Sequence, residues 1–212
     1  MNKPCVLFAA GEYYGNETLL AGDLFVVTAD GGYAAARRFG LVPDLHVGDF
    51  DSFPGEVEAK QTISLKPEKD DTDTMSAVKA ALERGCRDFL ILGGTGGRTA
   101  HTLANIQTLA FLASRGCRAR MVGNHEIFAC VQNGAIRFDA SSRGYVSVFS
   151  LADVSAGVRE TGLKYEVSDF TMTNRYPMGV SNEFTGAPAE IGVGDGALLV
   201  VYTDKAMERS EP

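Results

Sequence analysis

The chain has 212 residues, 45% of them hydrophobic and 22% charged, with a net charge of −7 at pH 7 and a pI of about 5.0. This length suits one large domain or two modest ones. The acidic balance argues against a general nucleic-acid binder, which would carry a basic face. It is compatible with a metal-bridged phosphate substrate or a small cationic ligand.

No apolar run approaches the length of a membrane span, and residues 5–10 are too few for the apolar region of a signal peptide. The cysteines, Cys5, Cys86, Cys117 and Cys130, are far apart and lack metal-ligand spacing. Three histidines without a cluster argue against a zinc site. We therefore expect a cytoplasmic protein with reduced thiols and with neither a membrane nor a nucleic acid as its partner.

In the first half of the chain, short apolar runs alternate with helical segments. The runs are continuous, as in CVLFAA over residues 5–10, which is typical of buried parallel strands. The predicted strands are residues 5–10, 24–29, 45–47, 62–65, 89–92 and 118–122. The predicted helices are residues 33–39, residues 73–84 and a segment that ends at residue 114. This alternation predicts an α/β N-terminal domain over residues 1–123, with a parallel sheet flanked by helices.

From residue 124 onward the pattern changes. Strand-like runs at residues 126–131, 135–138, 145–150 and 197–202 are separated by Asn-Gly, Arg-Gly and Asp-Gly turns. No convincing amphipathic helix lies between them. Residues 124–212 are therefore predicted to form an all-β C-terminal domain, a small antiparallel sandwich or half-barrel.

Turns rich in Gly and Asp follow directly after four of the predicted parallel strands. They are Gly11, residues 30–32, residues 48–49 and residues 93–98. In open α/β sheets, ligands bind in the crevice at the carboxyl ends of the strands. A phosphate-bearing ligand explains several such turns on one edge better than chance turn chemistry does.

The third of these turns begins a short acidic segment. In Asp49-Phe50-Asp51 an extended chain points both carboxylates to one side and the ring to the other. Two converging carboxylates suit Mg²⁺, which typically takes one or two protein carboxylates together with substrate phosphates. The alternative is a pair of solvated loop acids, and the two side chains alone do not decide between them.

A second acidic segment, Lys69-Asp70-Asp71-Thr72-Asp73, precedes a predicted helix. Asp71 or Thr72 would suit the N-cap of that helix, and the helix dipole favours Asp73 in its first turn. We expect at least one of the three acids to cap the helix, so they cannot all be metal ligands.

The Gly-rich run Gly93-Gly94-Thr95-Gly96-Gly97-Arg98 resembles neither a Walker loop nor a dinucleotide fingerprint, because it lacks the following Lys-Ser or Lys-Thr and the final glycine. It still precedes a helix N-terminus, which favours an anion, and Arg98 suits a phosphate. His101 and Asn105 share one polar face of that helix. The alternative is a Gly-rich turn with an exposed polar face.

Taken together, these segments resemble bacterial thiamine pyrophosphokinase in order and spacing. The N-terminal segments are Ala29-Asp30-Gly31-Gly32, Pro43-Asp44, Gly48-Asp49-Phe50-Asp51-Ser52, Lys69-Asp70-Asp71-Thr72-Asp73-Thr74, Gly93 through Arg98, and His101-Thr102-Leu103-Ala104-Asn105. In the second half, Thr161-Gly162-Leu163-Lys164-Tyr165 and Gly179-Val180-Ser181-Asn182-Glu183 resemble the thiamine-site segments of that family.

The resemblance implies a nucleotide- and Mg²⁺-binding α/β domain, a thiamine-binding β-sandwich domain, and a homodimer with active sites at the subunit interface. It also implies that the thiamine hydroxyl attacks the β-phosphorus of ATP, so that thiamine diphosphate and AMP form. Catalysis would then rest mostly on positioning and on electrostatics.

The resemblance also assigns residues. Asp49, Asp51 and Asp73 would hold Mg²⁺, with Asp71 as a further candidate, and Arg98 would act with them in catalysis. The implied nucleotide-binding residues are Asp30, Gly31, Ser52, Lys69, Asp71, Thr72, Gly94, His101 and Asn105. Those for thiamine are Tyr165, Ser181 and Asn182.

One position departs from the family pattern. The family usually has an Asp directly before the histidine of the Arg-x-x-His segment, and this chain has Ala100. Either a neighbouring acid substitutes, or the position is dispensable, or the protein is an impaired or non-catalytic homologue that binds thiamine or a nucleotide. A metal-dependent nucleotide hydrolase is a further alternative.

Overall fold

The computed structural model describes residues 3–15, 20, 22–49, 57–66, 68 and 70–203. The chain divides into two compact units, Met1–Thr108 with Cys117–Asn124, and Leu109–Gly116 with His125–Pro212. Within the described ranges, no helix is both long and apolar enough to cross a membrane.

In the described residues of the first unit, six parallel strands form a sheet. In chain order they are β1 (Cys5–Phe8), β2 (Phe25–Ala29), β3 (Leu45–Gly48), β4 (Thr62–Ser64), β5 (Asp88–Leu92) and β6 (Arg118–Val122). They pair in the order β6–β5–β1–β2–β3–β4. Every residue of β1, β2 and β3 is buried, because strands covered on both faces need apolar side chains on both sides.

Where the structure describes this half of the chain, three helices follow the strands, as the alternating pattern predicts: α1 (Gly32–Arg38), α2 (Asp73–Glu83) and α3 (Thr99–Ala113). Helix α1 packs on β1 and β2, and α2 packs on β1, β2 and β3. The predicted α/β class of this half of the chain is confirmed.

The part of the second unit that the structure describes contains eight strands. They are β7 (Glu126–Gln132), β8 (Ala135–Phe138), β9 (Tyr145–Ser150), β10 (Ser155–Thr161), β11 (Val167–Met172), β12 (Gly179–Glu183), β13 (Ala189–Gly192) and β14 (Ala197–Thr203). They pair antiparallel in two sets, β12–β9–β14–β7 and β11–β10–β13–β8. Both sets send apolar side chains, such as Val148, Leu198, Val158 and Ile191, into one core. The predicted β-sandwich is confirmed.

Helix α2 begins at a threonine. Thr72 has extended backbone and its side chain accepts a hydrogen bond from the Met75 amide at 3.1 Å. Of the two predicted N-cap candidates, Thr72 is therefore the cap, and the prediction that one of the acids caps the helix was wrong. Asp73 already lies in the first helical turn, so the hydroxyl one residue earlier reaches the exposed amide instead.

The two glycines before and at the start of α1 are not equivalent. A Cβ on Gly32 would lie 2.0 Å from the carbonyl oxygen of Phe8, whereas a Cβ on Gly31 would meet its nearest atom, the Ala10 Cβ, at 3.4 Å. The backbone of α1 therefore contacts the end of β1 directly at Gly32. This contact fixes where the helix leaves the carboxyl edge of the sheet.

We predict that Gly32→Ala lowers the free energy of unfolding by about 1–3 kcal/mol or more, because the added methyl group meets backbone that cannot move aside easily. Gly31→Ala, its matched control, should change it by less than about 1 kcal/mol, since its methyl group has room. Urea denaturation of both variants provides the measurement. Equal losses would contradict the assignment of the close contact to Gly32.

Candidate active site

A cavity of about 610 Å³ opens at the carboxyl edge of the parallel sheet, in the first unit. Its walls come from the turns after β1, β2, β3 and β5 and from the first turns of α2 and α3. The volume lies in the usual range for small-molecule sites, about 300–1,000 Å³. Of the predicted site residues, the cavity is lined by Asp30, Asp49, Asp71, Thr72, Asp73, Gly94, Arg98, His101 and Asn105.

Of the predicted residues of this half that the structure describes, one is not among the lining residues. Gly31 lies at the start of α1, outside the lining. Asp51, Ser52 and Lys69 lie outside the described residues, and so does Phe50. Their assignments stay predictions.

Three acidic side chains of the cavity differ in what they contact. The Asp71 carboxylate forms an ion pair with Lys79 Nζ at 2.6 Å, so part of its charge is already offset. Asp49, directly after β3, and Asp73, in the first turn of α2, are half-buried and line the same cavity. Asp49, Asp71 and Asp73 thus bring three carboxylates to one cavity.

The donor set of the cavity fits Mg²⁺. Carboxylate oxygens are its preferred protein ligands, and one or two of them are usual when substrate phosphates supply the rest. The described part of the chain has no cluster of three His, Cys, Asp or Glu side chains that could hold a metal alone. Asp49 and Asp73 thus suit a metal that also depends on its substrate for ligands.

The Gly-rich loop forms another wall of the cavity, and its backbone is held from two sides. The amides of Gly11 and Glu12 donate to the carbonyls of Gly93 and Thr95, each at 2.8 Å. Gly93, Gly96 and Gly97 have positive φ, and a Cβ on Gly93 would lie 2.6 Å from the Ala9 carbonyl oxygen. The loop can follow this path only because glycine tolerates both conditions.

Asn105 holds the other side of the loop. It lies on α3, is 6% exposed, and its Nδ2 donates to the Gly94 carbonyl at 2.7 Å. The predicted polar face of this helix is therefore partly buried against the loop. Asn105 positions the wall of the cavity as well as lining it.

The first turn of α3 provides the cationic part of the cavity. Arg98 directly precedes the helix and His101 lies in its first turn, and both are exposed. Backbone amides at a helix N-terminus and a guanidinium together favour an anion, above all a phosphate. The cavity therefore combines acidic residues with a loop and a helix end suited to phosphate.

A buried histidine, His46, lies on β3, the strand that precedes Asp49. Its Nδ1 hydrogen-bonds Thr28 Oγ1 at 2.8 Å. Burial lowers the pKa of His46, and the charge of Asp30 partly opposes this. Burial thus favours the neutral form of the imidazole. Nothing in the sequence distinguished this histidine.

The second unit contains a smaller cavity of about 170 Å³. Two of the three predicted thiamine-site residues, Tyr165 and Asn182, line it, together with Glu160, Val167, Phe170, Met172, Met178, Gly179 and Val180. Ser181 is exposed and is not among the lining residues; its amide donates to Ser147 Oγ at 3.0 Å. Glu160 was not predicted from the sequence.

Two family models match the chain. They are thiamin pyrophosphokinase, catalytic domain, over residues 17–121, and thiamin pyrophosphokinase, vitamin B1 binding domain, over residues 135–198. The chain belongs to the thiamin pyrophosphokinase family. The large cavity is lined by residues of the first matched region, apart from its wall at residues 9–11, and the small one lies within the second.

Individual relatives agree with this family. The thiamine pyrophosphokinase of Bacillus subtilis (strain 168) is 27% identical over 184 residues, which span 82% of this chain and 85% of the relative. A crystal structure of thiamine pyrophosphokinase from Bacillus subtilis has a TM-score of 0.83 at 22% identity and covers 96% of this chain and 100% of its own. The thiamin pyrophosphokinase from Candida albicans has a TM-score of 0.77 at 15% identity, covering 96% and 90%.

At these identities the solved structures support the fold, and the family models carry the identification. The resemblance drawn from the motifs is confirmed, and so is the enzyme class, a thiamine diphosphokinase. None of these relatives favours an impaired homologue over an active enzyme.

We predict that Asn105→Ala destabilises the protein by about 1–3 kcal/mol, because the Gly94 carbonyl loses its buried partner. Amide hydrogen exchange over residues 94–97 should also become faster. Asn124→Ala, at an exposed asparagine, is the matched control and should change neither quantity. Unchanged exchange in Asn105→Ala would show that the loop does not depend on this bond.

Proposed function

We propose that this thiamin pyrophosphokinase transfers diphosphate from ATP to the hydroxyl of thiamine, giving thiamine diphosphate and AMP. The observation that carries the proposal is the 610 Å³ cavity, which Asp49 and Asp73 line together with the Gly-rich loop and Arg98. Acids that suit a metal and a loop that suits phosphate are the two features that a polyphosphate substrate requires.

In this reaction the oxygen of the thiamine hydroxyl forms a bond to the β-phosphorus of ATP. The bond from the β-phosphorus to the oxygen that bridges it to the α-phosphorus breaks, and AMP leaves with that electron pair. The hydroxyl proton passes to solvent. Because charge is spread over phosphate oxygens throughout, the protein contributes mainly by positioning and by electrostatic stabilisation.

We assign Asp49, Asp51 and Asp73 as Mg²⁺ ligands, with Asp71 as a further candidate, as the family resemblance implies. When bound, the metal would offset part of the negative charge on the phosphates. Arg98 would hold phosphate oxygens through its guanidinium, and the amides of the first turn of α3 would add hydrogen bonds.

The remaining nucleotide contacts are assigned from the family pattern and from the lining of the cavity. The proposed set is Asp30, Gly31, Ser52, Lys69, Asp71, Thr72, Gly94, His101 and Asn105. Asn105 would act mostly through the Gly-rich loop, because its amide already donates to Gly94.

We further propose that residues 1–123 bind the nucleotide and Mg²⁺ and that residues 124–212 bind thiamine through Tyr165, Ser181 and Asn182. A cytoplasmic homodimer with active sites at the subunit interface is proposed from the family resemblance alone. The acidic chain suits thiamine, whose thiazolium ring is cationic.

With ATP, Mg²⁺ and thiamine, the protein is predicted to release AMP and form thiamine diphosphate in equal amounts. Chromatography that separates AMP from ADP provides the measurement, and a reaction without thiamine is the control. Formation of ADP would exclude diphosphate transfer, and consumption of ATP without thiamine would favour a hydrolase. Thiamine binding without turnover, restored by Ala100→Asp, would instead favour the impaired homologue.

Substitution of the three acids should separate their roles. We expect Asp49→Asn and Asp73→Asn to weaken Mg²⁺-dependent binding of a non-hydrolysable ATP analogue at least about tenfold to a hundredfold. Asp71→Asn should have a smaller effect, because the resemblance gives Asp71 only as a further candidate ligand. Calorimetric titrations with Mg²⁺ and with EDTA give the metal-dependent part. A larger loss from Asp71→Asn than from the other two would reverse this assignment.

A further inference from the structure

Glu160 places a carboxyl group inside the small cavity of the second unit. It lies on β10, is only 5% exposed, and lines the cavity of about 170 Å³. Apart from Tyr165 and Asn182, the other lining residues are apolar or glycine. An acid in such surroundings is unfavourable for folding unless it is paired.

The structure pairs only one side of this carboxyl group. Oε2 accepts a hydrogen bond from Asn182 Nδ2 at 2.9 Å. Among the described residues there is no hydrogen bond to Oε1 and no ion pair to Glu160. One oxygen is thus held in place, and the other stays available to a ligand in the cavity.

Asn182 fixes the orientation of Glu160 and of its neighbour Tyr165. Its Oδ1 accepts from the amides of Tyr165 at 3.0 Å and Glu183 at 2.9 Å. Besides its bond to Glu160, its Nδ2 donates to the Tyr165 carbonyl at 2.7 Å. All four hydrogen-bonding positions of this amide are therefore used within the protein. Asn182 is a positioning residue, and Glu160 is the group that can meet a ligand.

The carboxyl group is not explained by stability. Burial raises the pKa of Glu160, and the hydrogen bond from Asn182 only partly opposes this. An apolar side chain at this position would fill the same space without the cost of desolvation. A buried acid that is only partly paired is typical of a binding site rather than of a core.

The other walls indicate the shape of the ligand. Phe170 supplies an aromatic face, and Met172 and Met178 supply thioethers that pack well on aromatic rings. Tyr165 is 62% exposed and can cover a ring from the open side. A small cavity with one acceptor and flat apolar walls suits a single heteroaromatic ring that carries an N–H donor.

We propose that this cavity binds the aminopyrimidine ring of the acceptor and that Glu160 Oε1 accepts a hydrogen bond from its exocyclic amino group. The inference rests on the proposed function, in which thiamine is the acceptor. The thiazolium ring has no N–H donor and carries the reacting hydroxyl, so it has to stay accessible to ATP. The pyrimidine is the ring that can be enclosed, and Glu160 determines its specificity.

The test compares thiamine with oxythiamine, in which oxygen replaces the amino group. Calorimetry on the full chain should show that the native protein binds thiamine about tenfold to a hundredfold more tightly, because oxythiamine turns an acceptor toward Glu160 Oε1. In Glu160→Gln the new carbonyl oxygen keeps the bond from Asn182, and the new NH₂ group faces the cavity. This variant should therefore lose the preference or reverse it.

Glu190→Gln is the matched control. Glu190 lies on the neighbouring strand β13 and pairs with Arg137 and Arg159 instead of lining the cavity, so the preference for thiamine should persist. Thermal unfolding checks that both variants are folded. Steady-state kinetics should show a higher KM for thiamine in Glu160→Gln with kcat little changed.

Two results would overturn the inference while leaving the proposed function intact. One is that the native protein turns over thiamine but binds thiamine and oxythiamine equally well. This result does not depend on the folding of any variant. The other is Glu160→Gln with the native preference and the native KM. If the native protein neither binds nor converts thiamine, the proposed function fails together with the inference.

Discussion

Close backbone contact at the carboxyl edge of the parallel sheet is the constraint on which the candidate active site depends. Gly32 touches the carbonyl of Phe8, Gly93 touches that of Ala9, and a Cβ on Gly11 would lie 2.3 Å from the carbonyl of Thr95. Because only glycine fits at such distances, the turns after β1, β2 and β5 can lie side by side. Their amides and carbonyls then form the walls of one cavity.

The cavities of the two units differ in the residues that line them. The cavity of the first unit is lined by carboxylates, a guanidinium and the backbone before a helix. The cavity of the second unit is lined mostly by apolar residues and one acid, Glu160, whose Oε2 accepts a hydrogen bond from Asn182. Arg98 and Glu160 illustrate the contrast. Arg98 is exposed at the end of a loop, whereas Glu160 is only 5% exposed.

Much of the first unit could be predicted from the sequence, since buried parallel strands are continuous apolar runs and the Gly and Asp turns stand directly after them. The strands β10 to β13 could not, because they mix glycine and polar residues with few apolar ones, as in SAGVRET and GVSNE. Their pairing partners, rather than their own pattern, determine their structure.

Polar side chains were the least predictable part. Periodicity placed Asn105 on the polar face of α3 but could not show that this face meets the Gly-rich loop. In the same way, Glu160 has the sequence pattern of an ordinary exposed strand residue, and only its burial reveals the cavity. The N-cap of α2 depends on whether the side-chain oxygen of Thr72 or that of an adjacent Asp reaches the amide. Composition does not determine this difference of one residue.

The proposed function requires that a polyphosphate binds in the large cavity, among Asp49, Asp73, Arg98 and the Gly-rich loop. A crystal structure with Mg²⁺ and a non-hydrolysable ATP analogue tests it most directly. We predict density for the phosphates at the first turn of α3 and for the metal within coordination distance of Asp49 or Asp73. Phosphates bound elsewhere, or a metal that contacts neither carboxylate, would contradict it.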